Sequence, residues 1–116
     1  MDVEQQIERR IKLRDLRILR TVVEAGSMGK ASESLSVSQP AVSKAIAALE
    51  RSLGVRLLDR TPQGVEPTNY GRVLVDCGVA VFDDLRQGLK QIELLSDPTG
   101  GNFGLAVPDR SPARSY

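Results

Sequence analysis

The residues SMGKASESLSVSQPAVSKAIAALERSL, Ser27 to Leu53, read as a helix, a tight turn and a second helix. In the first, Met28, Ala31 and Leu35 recur at i, i+3 and i+7 and so share one face. Ser36 and Val37 break that pattern. Ser38 is placed as an N-cap whose hydroxyl accepts from free N–H groups of the next turn, and Pro40 falls where a missing N–H does no harm. The second helix therefore starts at Gln39. Val42, Ile46, Leu49 and Leu53 form its apolar stripe and must face a core. At about 100° per residue, Pro40, Ser43, Lys44, Ala47 and Arg51 lie away from that stripe and Gln39 projects from the helix tip. Such a tip suits a duplex groove: Gln pairs with adenine through two hydrogen bonds, Ser adapts, and Lys reaches phosphate or guanine. The N-terminal end of the helix dipole adds attraction for phosphate.

By periodicity alone, the same pair of helices reads first as an ordinary core hairpin, since most such pairs are that and the pattern has low specificity. The particular residues say more. Ser38-Gln39-Pro40-Ala41-Val42-Ser43-Lys44, then Leu49-Glu50, Leu53-Gly54-Val55 and Leu57-Leu58-Asp59-Arg60-Thr61, closely resemble the DNA-binding domain of LysR-type transcriptional regulators. The resemblance runs from about Leu13 to the region of Asp97. It implies a mainly α fold, a winged helix-turn-helix of three helices and a two-stranded wing, followed by a long dimerisation helix. It further implies that the second helix of the motif (about 27–46) enters the major groove. By match to the family motif, Ser38, Gln39, Pro40, Ser43 and Lys44 read the groove or position phosphates. Arg60 and Thr61 act from the wing, and Ser27 and Lys30 contact the DNA backbone. The chain departs from the family pattern at two places. Lys44 stands where Arg is frequent, which turns a bidentate guanine contact into a point-charge contact. Gly29 stands where Thr or Ser is frequent, so one hydroxyl–phosphate contact is missing.

A length of 116 residues allows one modest domain with an extension. No apolar run approaches membrane length and no signal-peptide pattern opens the chain, so a cytoplasmic location is expected. With 16 Lys and Arg against 15 Asp and Glu, the net charge of +1 gives no global case for nucleic acid, and any DNA affinity must come from local placement. Cys77 is the only cysteine and histidine is absent, which excludes an internal disulfide, a Cys/His zinc site and Ser-His or Cys-His catalysis. Cys77 reads as a reduced helix thiol, and no cofactor is expected.

Residues 1–12 are strongly charged, with Ile7 and Ile11 at i, i+4, and read as a frayed helical extension. Arg9 and Arg10 either add basic contacts or are simply solvated. Residues 13–68 form the expected domain. Leu13, Leu16, Leu19 and Val23 make one helical stripe, Ile18 and Val22 a second flank, and Ala25-Gly26 closes the helix. Two flanks imply two packing partners: the helix-turn-helix, and either the later long helix or a second subunit. Gly54 ends the recognition helix. Val55 to Thr61, a turn at Pro62-Gln63-Gly64, and Val65 to Thr68 then read as two extended segments, the wing. An Arg on such a ribbon reaches a groove edge that the helix cannot; the alternative is an ion pair of Arg60 with Asp59 or Glu66.

Thr68 is the expected N-cap of a helix over 69–97, stopped by Pro98. At about 1.5 Å per residue it is roughly 40 Å long, more than one small domain needs. Val75, Phe82, Leu85, Leu89 and Ile92 follow coiled-coil spacing with Gly78 filling one seam position, and Leu74, Val81 and Leu95 widen the stripe. Gly71, Gly78 and Gly88 each lower helix propensity by about 1 kcal/mol relative to Ala, and close approach of a partner helix at Gly78 would offset part of that. A homodimer through this helix is therefore expected, and the family resemblance implies that it sits on DNA with related half-sites. Residues 98–116 are rich in Gly, Pro and Ser and read as a flexible tail, and the family resemblance implies that the short apolar patch Phe103 to Val107 is the start of an effector domain. A small-molecule effector is expected only where the full-length protein has such a domain, and the sequence leaves open whether the chain is a fragment or naturally short. A second class of function stands beside DNA binding: an interaction module whose long helix titrates full-length regulators into inactive heterodimers. An enzyme finds no support, because there is no metal set, no glycine-rich phosphate loop and no nucleophile with a base.

Overall fold

Leu19, Val22, Val42 and Leu49 are completely shielded from solvent, and they mark where the helices meet. In the computed structural model, residues 4–5 and 11–96 are described. The elements are α1 (Leu13–Ala25), α2 (Met28–Leu35), α3 (Gln39–Leu53), β1 (Leu58–Thr61), β2 (Gly64–Pro67) and α4 (Asn69–Ser96). Three helices and a two-stranded wing followed by a long helix make the expected winged helix-turn-helix. The chain divides into two compact units, 1–79 and 80–116.

In the first unit, α1 packs on both α2 and α3, and β2 packs on α1. Leu16, Ile18, Leu19 and Val22 of α1 are buried with Ala31 of α2 and Val42, Ile46 and Leu49 of α3. Leu57 and Leu58 complete the core. The expected α3 stripe is therefore the buried one, with Leu53 partly buried at its end. On α1 the balance differs from expectation: Leu13 is exposed and Val23 only partly buried, while both Ile18 and Val22 are buried. Leu16 and Leu19 of the first stripe are buried beside them, so both flanks contribute to the core.

The connections are made by backbone chemistry. Gly26 and Gly54 end α1 and α3 at φ +81 and +73, each donating its N–H four residues back, to Val22 and Glu50. Ser36 ends α2 at φ +58, a left-handed conformation rare for a residue with a Cβ. Its N–H bonds to the Glu33 carbonyl and that of Val37 to the Ser32 carbonyl, which satisfies the carbonyls left free at the helix end.

The wing pairs antiparallel with Leu58 opposite Pro67 and Thr61 opposite Gly64. Two expectations change here. Val55 to Leu57 are not strand, because the Leu57 N–H is taken by the Glu50 carboxylate at 2.8 Å and its carbonyl by the Thr68 N–H at 2.9 Å. Gly64 lies in β2, not in the turn. Its φ is +146 and an added Cβ would lie 2.1 Å from the Gly26 carbonyl oxygen, which accepts from Val65 N–H at 3.0 Å.

Thr68 caps α4 as expected, accepting from Gly71 N–H at 3.1 Å and donating its hydroxyl to the Arg56 carbonyl at 2.6 Å. A Cβ on Gly71 would sit 2.2 Å from the Leu57 carbonyl oxygen, so close approach explains this glycine. At Gly78 the neighbouring helix belongs to the chain itself: Leu16 Cβ lies 3.5 Å from where its Cβ would be. The expected partner-helix contact at Gly78 is thus replaced by α1, and Val75 likewise packs against the chain's own core. A heptad pattern alone does not distinguish the two kinds of cover.

Of the leader, Glu4 and Gln5 are helical and exposed, and Ile11 packs on the core. The expectations for Ile7, Arg9, Arg10, Asp97, Pro98 and the tail from Thr99 fall outside the described residues. Among the described residues no helix is long and apolar enough to cross a membrane.

Glu50 is the test of how α3 holds the wing. Glu50→Ala leaves the Leu57 and Leu58 N–H groups without their carboxylate and should lower unfolding free energy by about 1–3 kcal/mol in urea denaturation, the cost of an orphaned buried donor; an unchanged midpoint would remove the tie.

Candidate nucleic-acid interface

With Val42, Ile46 and Leu49 turned inward, α3 presents Pro40 and Lys44 on its opposite side, Ser43 on its flank and Gln39 at its tip, all exposed. Ser38 N-caps α3, its Oγ accepting from Ala41 N–H at 3.2 Å, and Pro40 lies in the first turn. The hydroxyl hydrogen of Ser38 is left to donate outward. Ser27 plays the same part for α2, accepting from Lys30 N–H at 3.0 Å, and Lys30 is exposed. Both helices therefore begin with a serine cap at the positive end of the helix dipole, a setting that favours anions.

The packing brings these groups together. A Cβ on Gly29 would lie 3.6 Å from the Gln39 side-chain oxygen, so the start of α2 adjoins the tip of α3. The first residue of β2, Gly64, lies against Gly26 and Ser27, and Thr61 pairs with Gly64 across the wing. Arg60 is exposed on the strand face shared with buried Leu58. The expected alternative partner, Asp59, pairs instead with Arg56 at 3.5 Å. Among the described residues the ion pairs are Arg20–Glu24, Arg56–Asp59 and Arg86–Asp83, so Lys30, Lys44 and Arg60 keep their charge available. Thr61 is partly buried, and its Oγ1 accepts from Gln63 N–H at 3.2 Å, which steadies the wing turn.

Two cations that the sequence reading passed over join this surface. Lys12 and Arg14, at the start of α1, line a depression together with Asp15 and Ile18 of that helix and Ala41, Lys44, Ala45 and Ala48 of α3. Lys12 is the N-cap residue of α1 and makes no side-chain cap.

The long helix carries the remaining expected set. Val75 and Phe82 are partly buried, whereas Leu85, Leu89 and Ile92 are 44, 52 and 53% exposed. Cys77 is an exposed free thiol. Among the described residues no group of three or more His, Cys, Asp or Glu is placed to hold a metal ion.

The profile of the bacterial regulatory helix-turn-helix proteins of the lysR family matches residues 13–72. The chain belongs to this family. Family members similar to it include the SDS degradation transcriptional activation protein of a Pseudomonas species, 40% identical over 86 residues, 72% of this chain and 28% of the relative. The transcriptional regulator GbpR of Azospirillum brasilense is 35% identical over 98 residues, 84% of this chain and 28% of its own length. The chain thus spans under a third of these curated relatives. Among solved structures, BenM_DBD in a complex with benA site 1 DNA superposes with a TM-score of 0.70 at 30% identity, covering 73% of this chain and 99% of that one. These relatives are named as regulators, and membership places this chain among regulators, not enzymes.

The Ser38 cap gives a direct check of this geometry. Ser38→Ala should lower stability by about 1 kcal/mol in thermal or urea unfolding, and Ser38→Asp should retain it, since either side chain of Ser or Asp accepts from the next turn. Equal losses in both variants would show that the cap is not what holds the start of α3.

Proposed function

We propose that this chain binds double-stranded DNA sequence-selectively, as the DNA-binding part of a LysR-type transcriptional regulator acting as a dimer in the cytoplasm. The observation that carries the proposal is the exposure of Gln39, Pro40, Ser43 and Lys44 on the first two turns of α3, clear of its buried apolar stripe. α3 presents that edge to the major groove. Gln39 and Ser43 read bases, Pro40 shapes the close approach, and Lys44 supplies a point charge. Ser27, Lys30 and Ser38 hold phosphates, and Arg60 and Thr61 act from the wing on phosphate or the narrow groove. Lys12 and Arg14 extend the phosphate contacts beside Lys44. That a similar domain, BenM_DBD, has been solved on DNA supports the same use of the fold here.

Dimerisation is assigned to the exposed apolar residues Leu85, Leu89 and Ile92, with Phe82 beside them and Val75 at the fringe. Half-sites would then be spaced by roughly one helical turn or a multiple of it. The same exposed residues also fit a module that captures longer regulators. A gel shift separates the readings, because such a module needs no duplex affinity of its own.

Gln39→Ala should cost about 1–3 kcal/mol at one position of each half-site and leave scrambled DNA less affected. Arg60→Ala should weaken preferred and scrambled duplexes alike and flatten the salt dependence by about one unit per subunit. Affinities for both duplexes at several salt concentrations check the pair; equal losses with Gln39→Ala, or an unchanged slope with Arg60→Ala, reverse the assigned roles. For the dimer, Leu85→Glu should shift sedimentation from dimer to monomer by placing a charge in the apolar contact. A wild-type chain that stays monomeric at micromolar concentration and on DNA would end the dimer reading.

A further inference from the structure

Gly29 has no conformational or packing reason to be glycine. It lies inside α2, and the positive-φ glycines among the described residues are Gly26, Gly54 and Gly64. Around its missing Cβ the neighbour is the side-chain oxygen of Gln39 at 3.6 Å, an ordinary van der Waals separation that obliges nothing to move. A helical glycine lowers stability relative to alanine, so the chain bears a cost here that its own fold does not explain. What the absent side chain leaves bare is one edge of the Gln39 carboxamide.

We propose that Gly29 sets the base selectivity of this chain through Gln39; the inference rests on the reading of Gln39 as a base-contacting residue. A carboxamide presents an acceptor on one side and two donors on the other, and rotation about its last bond exchanges them. With Gly29 beside it, no neighbouring hydroxyl holds the amide of Gln39 in one orientation. It is free to offer oxygen or nitrogen to a base edge, and therefore accommodates more than one base pair at its position. A serine hydroxyl at residue 29 extends about one bond beyond the Cβ, within hydrogen-bonding reach of the Gln39 oxygen. That bond would hold one orientation and narrow the choice. Gly29 is thus a positioning residue, acting on DNA through its neighbour.

The test uses the full chain and a panel of duplexes varied at each base pair of a selected site. Gln39→Ala first identifies the position that Gln39 reads. At that position Gly29→Ser should widen the affinity ratio between best and worst base by roughly two- to ten-fold, the factor that one net hydrogen bond supplies. Gly29→Ala, which adds bulk without a hydroxyl, should not. In the Gln39→Ala background the serine effect should vanish. Without DNA, the side-chain amide resonances of Gln39 should move in Gly29→Ser and stay near their wild-type values in Gly29→Ala. A uniform change in affinity for every duplex would mean that the hydroxyl reaches phosphate and would overturn the proposal, as would a serine effect that survives Gln39→Ala or no effect at all. If Gln39→Ala alone shifts no base preference, the base-reading role itself fails and the inference falls with it, an outcome recognised before residue 29 is touched.

Discussion

Burial of Val42, Ile46 and Leu49 beneath α1 fixes the rotation of α3 about its own axis. Each such side chain is worth about 1.5–3 kcal/mol when buried rather than exposed, so a turn of one residue around the axis would forfeit several kcal/mol. The outward edge, Gln39, Pro40, Ser43 and Lys44, is therefore set by what lies inward and by nothing in the polar residues themselves. Their own chemistry is free to vary without moving the helix. This separation lets one scaffold carry different outward residues on the same helix.

The wing depends on the same helix. Glu50 reaches from α3 to the N–H groups of Leu57 and Leu58, and the Gly26 carbonyl accepts from Val65 N–H. β1 is thus tied to the end of the recognition helix and β2 to the corner before α2. Both ties join backbone to rigid elements, so Arg60 and the α3 edge are held as one surface. The bare approach of Gly64 to Gly26 is what lets the second tie form.

Much of this was legible in the order of residues. Ser38, Thr68, Gly26 and Gly54 announce helix ends because capping and left-handed turns demand particular side chains, and the α3 stripe follows from periodicity. The family itself was legible from the run around Gln39. What escaped was long-range. Val55 to Leu57 look like strand, yet the Leu57 N–H goes to the Glu50 carboxylate, a partner that no local pattern signals. Gly64 reads as a turn residue until the Gly26 carbonyl is found where its Cβ would be. Gly78 and Val75 fit a seam between subunits equally well as contact with the chain's own core, and only the placement of Leu16 distinguishes them. Lys12 and Arg14 are remote in sequence from Lys44 and meet it only through packing.

The joint at Thr68 has a mechanical meaning. The Thr68 hydroxyl bridges the Arg56 carbonyl and the Gly71 N–H, while the Leu57 carbonyl takes the Thr68 N–H and presses on bare Gly71. Four backbone groups and one hydroxyl thus clamp the first turn of α4 to the base of the wing, with no space for even a methyl group between them. Such a joint has no slack. A displacement of the base of the wing therefore meets the first turn of α4 directly, with no loose loop between them to absorb it.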